Sequence, residues 1–523
     1  MKSYIPKLKT RRLAGRLVML AAMIFVLFFA FIYLFPWIKT ENGKILAVTC
    51  FAVLAVYISV FSIWIKRTKE PDAAEFFLIS AIPLSIIFLI LFPHNCFVDN
   101  KTHFIAIYRL SNLMTGKGEW LARADDVRFM NDYWPDVAAP ETSGYDTIIS
   151  AFSWFIKDDT LVDIIRHEDK MKFYSIVSYL PEVLGFTLAR ICRLGTVPSL
   201  YLSRLFLNIF YIISCTYAIR IMPSGKFCLA FTALLPESLH IAGAFSYDGM
   251  AVSCSLCFLA CCFSMAESVG KTDKDQLRIF TKEMIRCMIW SFVLASVKAG
   301  GVFFLLIPLV FLSASRKSAR TFVKPLIIVA AGFLSILIFN FIATYGISLF
   351  QLGGEDGYLY ATFALENPLS FLFMAAYEYV FEFELIFMGI TGGMLSWGDF
   401  VIPDAIMAVL VAIMLVYSVF EKDDTGFNSK SKKLIVISVV LALVITPVML
   451  LSSTKADSRN VAGVQGRYFS PLLPLIMILI TKYKIHRKAL AVTEERIRKR
   501  LLIAITAFLC IIVFFMLDTY LKR

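Results

Sequence analysis

The sequence predicts an all-α protein that crosses a membrane many times. Of its 523 residues, 59% are hydrophobic and 17% are charged, and the mean hydropathy is +0.74. A water-soluble domain carries about 25% charged residues. Several apolar runs reach the roughly 18 residues that a membrane-spanning helix needs. A β-barrel would instead show alternating segments of about ten residues, so a polytopic helical fold is expected.

The spans are taken in order from the N-terminus. Six Lys or Arg residues and no acid among the first 16 residues fix that end in the cytoplasm. The first apolar run is too long for a cleavable signal peptide and lacks a small-x-small site, so it is expected to remain as an anchor. About 13 spans follow, with the C-terminus outside: 15–36, 44–65, 75–92, 198–221, 226–245, 247–267, 283–298, 300–315, 322–349, 401–420, 432–453, 468–481 and 501–519.

The basic loops set the orientation of these spans. The net charge of +13 lies in loops, where it meets anionic lipid headgroups, and it does not indicate nucleic-acid binding. Basic loops such as 66–72 and 268–286 are expected in the cytoplasm, so the third span delivers Asp99 to the outer face. No internal repeat is visible, which argues against an inverted-repeat transporter.

Three polar stretches interrupt the spans. Residues 93–172 mix aromatic and acidic residues and are predicted to form a folded cap on the outer surface, with Asp125 and Asp126 on its solvated face. Residues 173–195 are predicted to form an amphipathic helix pair in the membrane interface. The run 368–391 is long enough to span, but its three Glu residues would be costly in lipid, so it is expected to stay outside.

This topology gathers polar residues at one outer face. A carboxylate there can deprotonate a hydroxyl, and Arg or Lys can bind a phosphate leaving group. Among the 11 Cys residues, those of the run 254–262 have no His or carboxylate partner nearby, so no metal site is expected there. The candidate site residues are Asp99, His103, Arg204, Asp248, Lys298, Asp399, Gln465, Arg467 and Tyr468.

Each candidate also has a purely structural interpretation. Asp99 and His103 are equally suited to a solvated helix end, and Asp248 to the N-cap of the 247–267 helix. Lone cations at span ends, such as Lys298 and Arg467, often extend to lipid headgroups. Two further residues, Glu237 and His240, follow Pro236 inside a predicted span, where they either pack a kink or line the lower wall of a cavity.

Seven motifs, in the same order, resemble a bacterial polytopic family known as domain of unknown function 2142. The resemblance covers about residues 75–481, and the last motif is the most specific. The motifs are VDNKTHFIAIYRLSNLMTG, YLPEVLGFTLARICRLG, SRLFLNIFYIISCTYAIRIMP, LLPESLHIAGAFSYDGMAV, SVKAGG, GGMLSWGDFVIP and GVQGRYFSPLLPL.

That family resembles the GT-C glycosyltransferases, which use polyprenyl-phosphate sugars and carry an acid in the first outer loop. The resemblance implies a catalytic role for Asp99 with His103 beside it, Asp248 as the second acid, and phosphate contacts from Arg204, Lys298 and Arg467. The family pattern normally reads Pro-Asp-Glu before the His, whereas this chain has Val98, Asp99 and Asn100. One expected carboxylate is therefore missing.

The resemblance divides the chain into six parts. These are an N-terminal two-helix membrane extension (1–70), the first span of the GT-C-like module (71–92), an extracytoplasmic loop with interfacial helices (93–197), central transmembrane helices (198–349), an extracytoplasmic or interfacial segment (350–400) and C-terminal transmembrane helices (401–523).

The expected function is transfer of a sugar from a polyprenyl-phosphate donor to a cell-envelope glycan acceptor, at the outer face of a bacterial plasma membrane. A transporter or flippase for a lipid-linked saccharide is the alternative, as is a non-catalytic component of an envelope-polysaccharide assembly complex. Membrane lipid, the donor and the glycan are the expected partners. No cofactor is firmly indicated, and a divalent cation, Mg²⁺ or Mn²⁺, stays open as an alternative.

Overall fold

The computed structural model describes the chain with several gaps, and Lys298 lies outside the described residues. The described residues are 29–30, 32–34, 38, 40–97, 99–134, 142–164, 176–268, 281–297, 301–313, 323–343, 357–396, 398–421, 429–481 and 491–522. Most of these residues are α-helical, and two short antiparallel ribbons complete the regular structure.

The first half of the described chain contains ten helices and one ribbon. The helices are α1 (Glu41–Arg67), α2 (Ala73–Leu91), α3 (Asn100–Thr115), α4 (Ala124–Asp132), α5 (Thr142–Ser150), α6 (Leu180–Ile191), α7 (Thr196–Ile221), α8 (Lys226–Leu234), α9 (Pro236–Ala242) and α10 (Tyr247–Ser268). Strand β1 (Leu121–Arg123) pairs antiparallel with β2 (Leu161–Asp163), and a 3₁₀ turn, Ile176–Tyr179, precedes α6.

The second half of the described chain contains ten more helices and a second ribbon. The helices are α11 (Lys282–Ser296), α12 (Gly301–Val310), α13 (Val323–Ala343), α14 (Phe363–Glu366), α15 (Pro368–Phe381), α16 (Phe383–Thr391), α17 (Asp404–Phe420), α18 (Ser429–Leu450), α19 (Leu473–Thr481) and α20 (Ala491–Lys522). Strand β3 (Met394–Leu395) pairs with β4 (Phe400–Val401), and 3₁₀ helices cover Leu451–Ser453 and Gly466–Leu472.

Six helices in the described part are long and apolar enough to cross a membrane. They coincide with the predicted spans 44–65, 75–92, 198–221, 247–267, 432–453 and 501–519. The multi-pass helical fold is therefore confirmed. The total of 13 spans stays a prediction, because most of the run 15–36 lies outside the described residues and several other apolar helices have only 10–17 residues.

Helix α10 is the central element of the bundle. In its most apolar 18-residue stretch, 94% of the residues are buried, compared with 33% in the span that includes α18. Small residues (Ala, Ser, Cys and Gly) fill much of α10, and they allow neighbouring helices to approach its backbone closely. The first residues of α10 therefore lie deep between other elements, and Asp248 is one of them.

The run 226–245, predicted to be one span, is instead two short helices. Helix α8 ends at Leu234, and α9 starts at Pro236 after the extended residue Leu235. Proline has no N–H to continue the first helix, but it suits the first position of a new one. The seven residues of α9 are all buried, so this short helix presents Glu237 and His240 to the interior.

The run 173–195 contains one α-helix in the described residues, rather than the predicted pair. This helix, α6, packs along the first half of α7, and Gly185 permits a close approach because a Cβ there would lie 2.8 Å from the carbonyl oxygen of Leu202. The polar residues that suggested an interfacial face, Glu182 and Arg190, point inward and are buried.

The prediction of a solvated face is wrong for Asp126, whereas Asp125 is only half-buried. The Asp126 carboxylate is fully buried and pairs with Arg123, whose Nε and Nη2 atoms lie 2.6 and 3.0 Å from its oxygens. The hydroxyls of Tyr108 and Thr196 also donate to it, at 2.8 and 2.6 Å. Asp125 accepts from two backbone N–H groups, those of residues 157 and 158. Both acids therefore stabilise the local fold.

The run 368–391 forms two helices, α15 and α16, which are separated by a break at Glu382. Glu378 is buried and accepts a hydrogen bond of 2.9 Å from the Nδ2 atom of Asn460, which compensates for much of the cost of its burial. The location of these two helices at the outer face remains a prediction.

Candidate active site

A cavity of about 320 Å³ lies between α9, α16, the β3–β4 ribbon and the 3₁₀ helix Gly466–Leu472. One part of its wall is apolar, and the rest carries carboxylate, guanidinium, amide and hydroxyl groups. The lining residues are Phe97, Glu237, His240, Ile241, Ala244, Ser246, Leu385, Gly389, Met394, Ser396, Gly398, Val464, Gln465, Gly466 and Arg467. Such a mixed wall suits a ligand that has both apolar and polar parts.

Gly466 allows the most specific sequence motif to reach the cavity. A Cβ at this position would lie 2.1 Å from the carbonyl oxygen of Ile386 and 2.5 Å from the backbone nitrogen of Ile390, so only glycine fits against α16. This close contact holds the neighbouring residues Gln465 and Arg467 in the cavity wall.

The Asp248 carboxylate pairs with Arg467 at the cavity wall. The Arg467 Nε atom lies 3.3 Å from an Asp248 carboxylate oxygen, and the two side chains are 20% and 9% exposed. Helix α10 begins at Tyr247, and the Ser246 hydroxyl accepts the backbone N–H of Asp248. The Asp248 side chain thus lies in the first helical turn, where the helix dipole favours a negative charge, and is not itself the N-cap.

Glu237 and His240 form a second polar pair in the same wall. Their carboxylate oxygen and Nδ1 atom are 3.8 Å apart, and both residues are buried. The His240 ring stacks on Phe97 with a centroid separation of 4.4 Å and meets Phe92 edge-on at 4.6 Å. Both residues follow the helix break at Pro236 and line the cavity, as one of the two sequence interpretations expected.

Asp99 lies at the start of α3 in an unusual backbone conformation. Its φ of 57° and ψ of 17° are left-handed, a region in which Asp is one of the few tolerated non-glycine residues. Its carbonyl accepts the His103 N–H at 3.0 Å, but its side chain makes no capping hydrogen bond and is exposed. The carboxylate is therefore not used to stabilise the helix end.

His103 is buried one turn further along α3. Its Nδ1 atom lies 2.6 Å from the Tyr179 hydroxyl, and its ring meets Tyr247 edge-on with a centroid separation of 5.0 Å. Since Tyr247 directly precedes Asp248, His103 joins the start of α3 to the start of α10.

Asn100 strengthens the same junction. Its side-chain amide donates to the carbonyl of His94, and its Oδ1 atom accepts the backbone N–H of Phe245 at 2.9 Å. Phe245 lies between the lining residues Ala244 and Ser246. The position where the resemblance led us to expect Glu is therefore a buried structural amide in this chain.

Arg204 supports the cavity wall from behind. Its side chain is fully buried, with Nη2 donating to the Phe92 carbonyl at 2.6 Å and Nε donating to the Gly243 carbonyl. Its guanidinium also lies 5.0 Å from the centre of the Phe97 ring. These contacts hold Phe97 and the turn before Asp248 in place.

Of the remaining candidates, two lie next to residues that line the cavity and one is outside the described residues. Asp399 is half-buried in the turn of the β3–β4 ribbon, next to the lining residue Gly398. Tyr468 follows Arg467 in the chain, and the Arg467 guanidinium lies 5.9 Å from the centre of the Tyr468 ring. Lys298 lies outside the described residues. Phe97, Ser246 and Ser396 line the cavity, although the sequence alone did not single them out. Ser246 and Ser396 lie inside two of the seven motifs, and this position is the signal that could have indicated them.

His94 lies just after α2 and carries the carbonyl that Asn100 binds. Its ring packs edge-on against Trp134 at 4.7 Å and against Phe129 at 4.9 Å. Burial lowers the pKa of His94 from 6.5 to about 3. The ring is therefore neutral at physiological pH.

The described residues do not fit a metal centre. Within them, no group of three or more His, Cys, Asp or Glu side chains is placed to hold an ion. The Asp248 carboxylate has a cationic partner in Arg467.

Comparison with known proteins places this site inside a recognised family. A family model described as "Predicted membrane protein (DUF2142)" matches residues 83–476, which include the whole cavity and the stretches around Asp99, Asp248 and Arg467. No curated protein matches the chain. Because the matched region covers most of the sequence, the chain belongs to the DUF2142 family of membrane proteins.

Proposed function

We propose that this protein is a GT-C-like membrane glycosyltransferase that moves a sugar from a polyprenyl-phosphate donor to a cell-envelope glycan. We place the reaction at the outer face of a bacterial plasma membrane. The observation that carries the proposal is the guanidinium of Arg467, which lines a cavity with both apolar and polar walls and pairs with the carboxylate of Asp248 behind it. A lipid-linked sugar phosphate has matching parts: an apolar chain, an anionic phosphate and a hydroxyl-rich sugar.

In the proposed reaction, Asp99 acts as the general base. Its carboxylate takes the proton of the acceptor hydroxyl, whose oxygen attacks the anomeric carbon of the donor sugar. The bond between that carbon and the phosphate oxygen breaks, with inversion, and polyprenyl phosphate leaves. The exposed carboxylate of Asp99, which makes no capping hydrogen bond, supports this role.

Arg467 neutralises the charge that develops on the phosphate. A guanidinium fixed at that place stabilises the transition state more than a mobile cation in water, since it needs no reorganisation. Asp248 holds Arg467 at 3.3 Å and orients it, Gln465 supplies a further polar group in the cavity wall, and Tyr468 lies next to the Arg467 guanidinium. Lys298 is assigned a second phosphate contact and Asp399 a contact to the sugar.

Two candidates receive auxiliary roles. Arg204 is a positioning residue, because its guanidinium is buried against the carbonyls of Phe92 and Gly243. His103 likewise holds the start of α3 against α10 through Tyr247. With Asn100 in place of a second acid, Glu237 is the further carboxyl group available in the cavity.

One observation favours a non-catalytic alternative. The side chain of Asn100 is fully engaged in two backbone hydrogen bonds, so the position where the family pattern has a carboxylate serves the fold. A membrane scaffold in an envelope-assembly complex would keep these contacts without any chemistry.

The test is an assay of the purified protein in lipid nanodiscs with a radiolabelled polyprenyl-phosphate sugar and a short glycan. Transfer of label to the glycan, or its release by hydrolysis, supports the transferase. A parallel experiment in liposomes follows the lipid across the bilayer: movement of the intact lipid without transfer would mean a flippase. If neither occurs over a panel of donor sugars, the scaffold replaces the proposal.

A further inference from the structure

An exposed apolar surface lies beside the N-terminal end of α7. Successive turns of α6 contribute aliphatic side chains that are 40–68% exposed, and the segment 152–155 adds three aromatic rings that are 41–68% exposed. We call this set the α6 apolar surface; its members are Leu180, Leu184, Leu188, Ile191, Phe152, Trp154 and Phe155.

Helix α6 has its polar residues inside and its apolar residues outside. Glu182 is fully buried and Arg190 is 8% exposed, whereas Ile191 is 68% exposed. A helix on the surface of a water-soluble protein shows the opposite arrangement. An outward apolar face and inward charged groups are expected where the surroundings are lipid.

The aromatic part of this surface is fixed to the end of α7. The Trp154 carbonyl accepts the backbone N–H of Gly195, the residue before α7, at 2.9 Å, and the Arg193 carbonyl accepts the N–H of Ile156 at 2.9 Å. A side chain at Gly195 would collide with this segment, because its Cβ would lie 2.0 Å from the Ser153 carbonyl oxygen. Trp154 therefore stays level with the start of α7.

The length of α7 gives the depth of Trp154 relative to the bilayer. Its 26 residues span about 39 Å, and the hydrocarbon core is about 30 Å thick. At most about 9 Å of the helix thus extends beyond the core, shared between both ends. Trp154 falls in the interfacial layer, where tryptophan is enriched.

The lipid-facing side of α7 continues this surface. Further along the helix, Leu205, Ile209 and Ile213 lie four residues apart and are 37–63% exposed. Residues four apart lie on the same face of a helix, so these three side chains form one stripe along α7. Helix α6 packs against the same helix. The apolar area thus runs from the span onto α6.

We infer that the α6 apolar surface is a membrane anchor whose partner is the phospholipid bilayer. In the leaflet at the N-terminal end of α7, the aromatic segment lies at the headgroup–acyl boundary, and α6 continues from there against the acyl chains along the first half of α7. The aromatic segment continues to residues 157 and 158, whose backbone N–H groups donate to Asp125 at the start of α4. The anchor therefore fixes α4 and the neighbouring β1–β2 ribbon at the membrane surface. This inference is independent of the proposed transferase activity.

The test uses tryptophan fluorescence of the full chain in nanodiscs. Subtracting the spectrum of a Trp154→Phe variant from that of the unaltered protein isolates the Trp154 signal. We expect this signal to be blue-shifted, to lose most of its intensity in lipids brominated near the top of the acyl chains, and to resist iodide in the water. Trp134→Phe serves as the control, because Trp134 is only 2% exposed and its signal should respond to neither quencher.

Two outcomes would overturn the inference. Quenching of Trp154 by iodide but not by brominated lipid would place the α6 apolar surface in water. Resistance of Trp154 to both quenchers would mean that another protein surface covers it. Each variant is first checked for an unaltered elution profile and melting temperature, so that misfolding is not mistaken for a change in depth.

Discussion

The Arg467 Nε atom lies 3.3 Å from the carboxylate of Asp248, which joins the GVQGRYFSPLLPL motif to the first turn of α10. Gly466 permits this contact, because no other residue fits against α16 at that position. The pair brings a fixed cation into a cavity that also has apolar walls.

Replacing Arg467 by Gln is expected to reduce kcat/KM for sugar transfer by about 100-fold or more. The phosphate leaving group would lose a preorganised positive charge, and removal of one such contact typically has an effect of this size. The measurement is the transfer rate in nanodiscs at subsaturating donor. The matched control is Arg459→Gln, since Arg459 is exposed and precedes the motif in the same connection between α18 and α19.

The variant also leaves Asp248 without its cationic partner, so a stability readout is needed beside the rate. The double variant Arg467→Gln with Asp248→Asn should recover the melting temperature and remain inactive. If Arg459→Gln reduces transfer as strongly as Arg467→Gln, the assigned role of Arg467 is wrong.

Replacing Asn100 by Asp is expected to destabilise the protein by about 1–3 kcal/mol without increasing transfer. The buried amide donates to the His94 carbonyl, and a carboxylate would face that carbonyl with no proton to donate. Thermal unfolding in detergent measures the loss. Asn131→Asp is the control, because Asn131 is exposed. A variant at Asn100 that transfers sugar faster than the original chain would show that this position has a catalytic role.

Acidification is expected to destabilise the junction around His94. The folded-state pKa of His94 is about 3 and its ordinary value is 6.5, so the unfolded chain binds more protons between these values. Stability is therefore lost as the pH falls below 6.5, by about 2 kcal/mol at pH 5. The measurement is the melting temperature against pH for the original chain and for His94→Phe, which has no proton to gain. Parallel acid profiles of the two proteins would refute this account.

Much of the fold could be predicted from the sequence, because membrane-spanning helices need long apolar runs. The spans at α1, α2, α7 and α10 were visible in this way. The break before Pro236 was not predicted, since the run around it is apolar on both sides and a kinked single helix would give the same pattern.

The site was only partly accessible to sequence reasoning. Loop charge predicted that the stretches of Asp99, Asp248 and Arg467 lie at one face, and in the structure these stretches lie on neighbouring elements. The buried role of Arg204 could not be predicted, because its partners, the carbonyls of Phe92 and Gly243, are distant in sequence. For Asp126, the nearby Arg123 was visible in the sequence, but the burial of the pair depends on the distant Thr196 hydroxyl and on packing that the sequence does not show.

The most direct test of the proposed function is the transfer rate of the purified protein after Asp99→Asn. The amide has almost the same size but cannot accept the acceptor's proton, so transfer should fall by about 100-fold or more. Glu384→Gln, which alters an exposed carboxylate in α16, should leave the rate unchanged. Loss of transfer in the Asp99 variant alone, with an unaltered melting temperature, is the predicted result. Full activity of that variant would contradict the account.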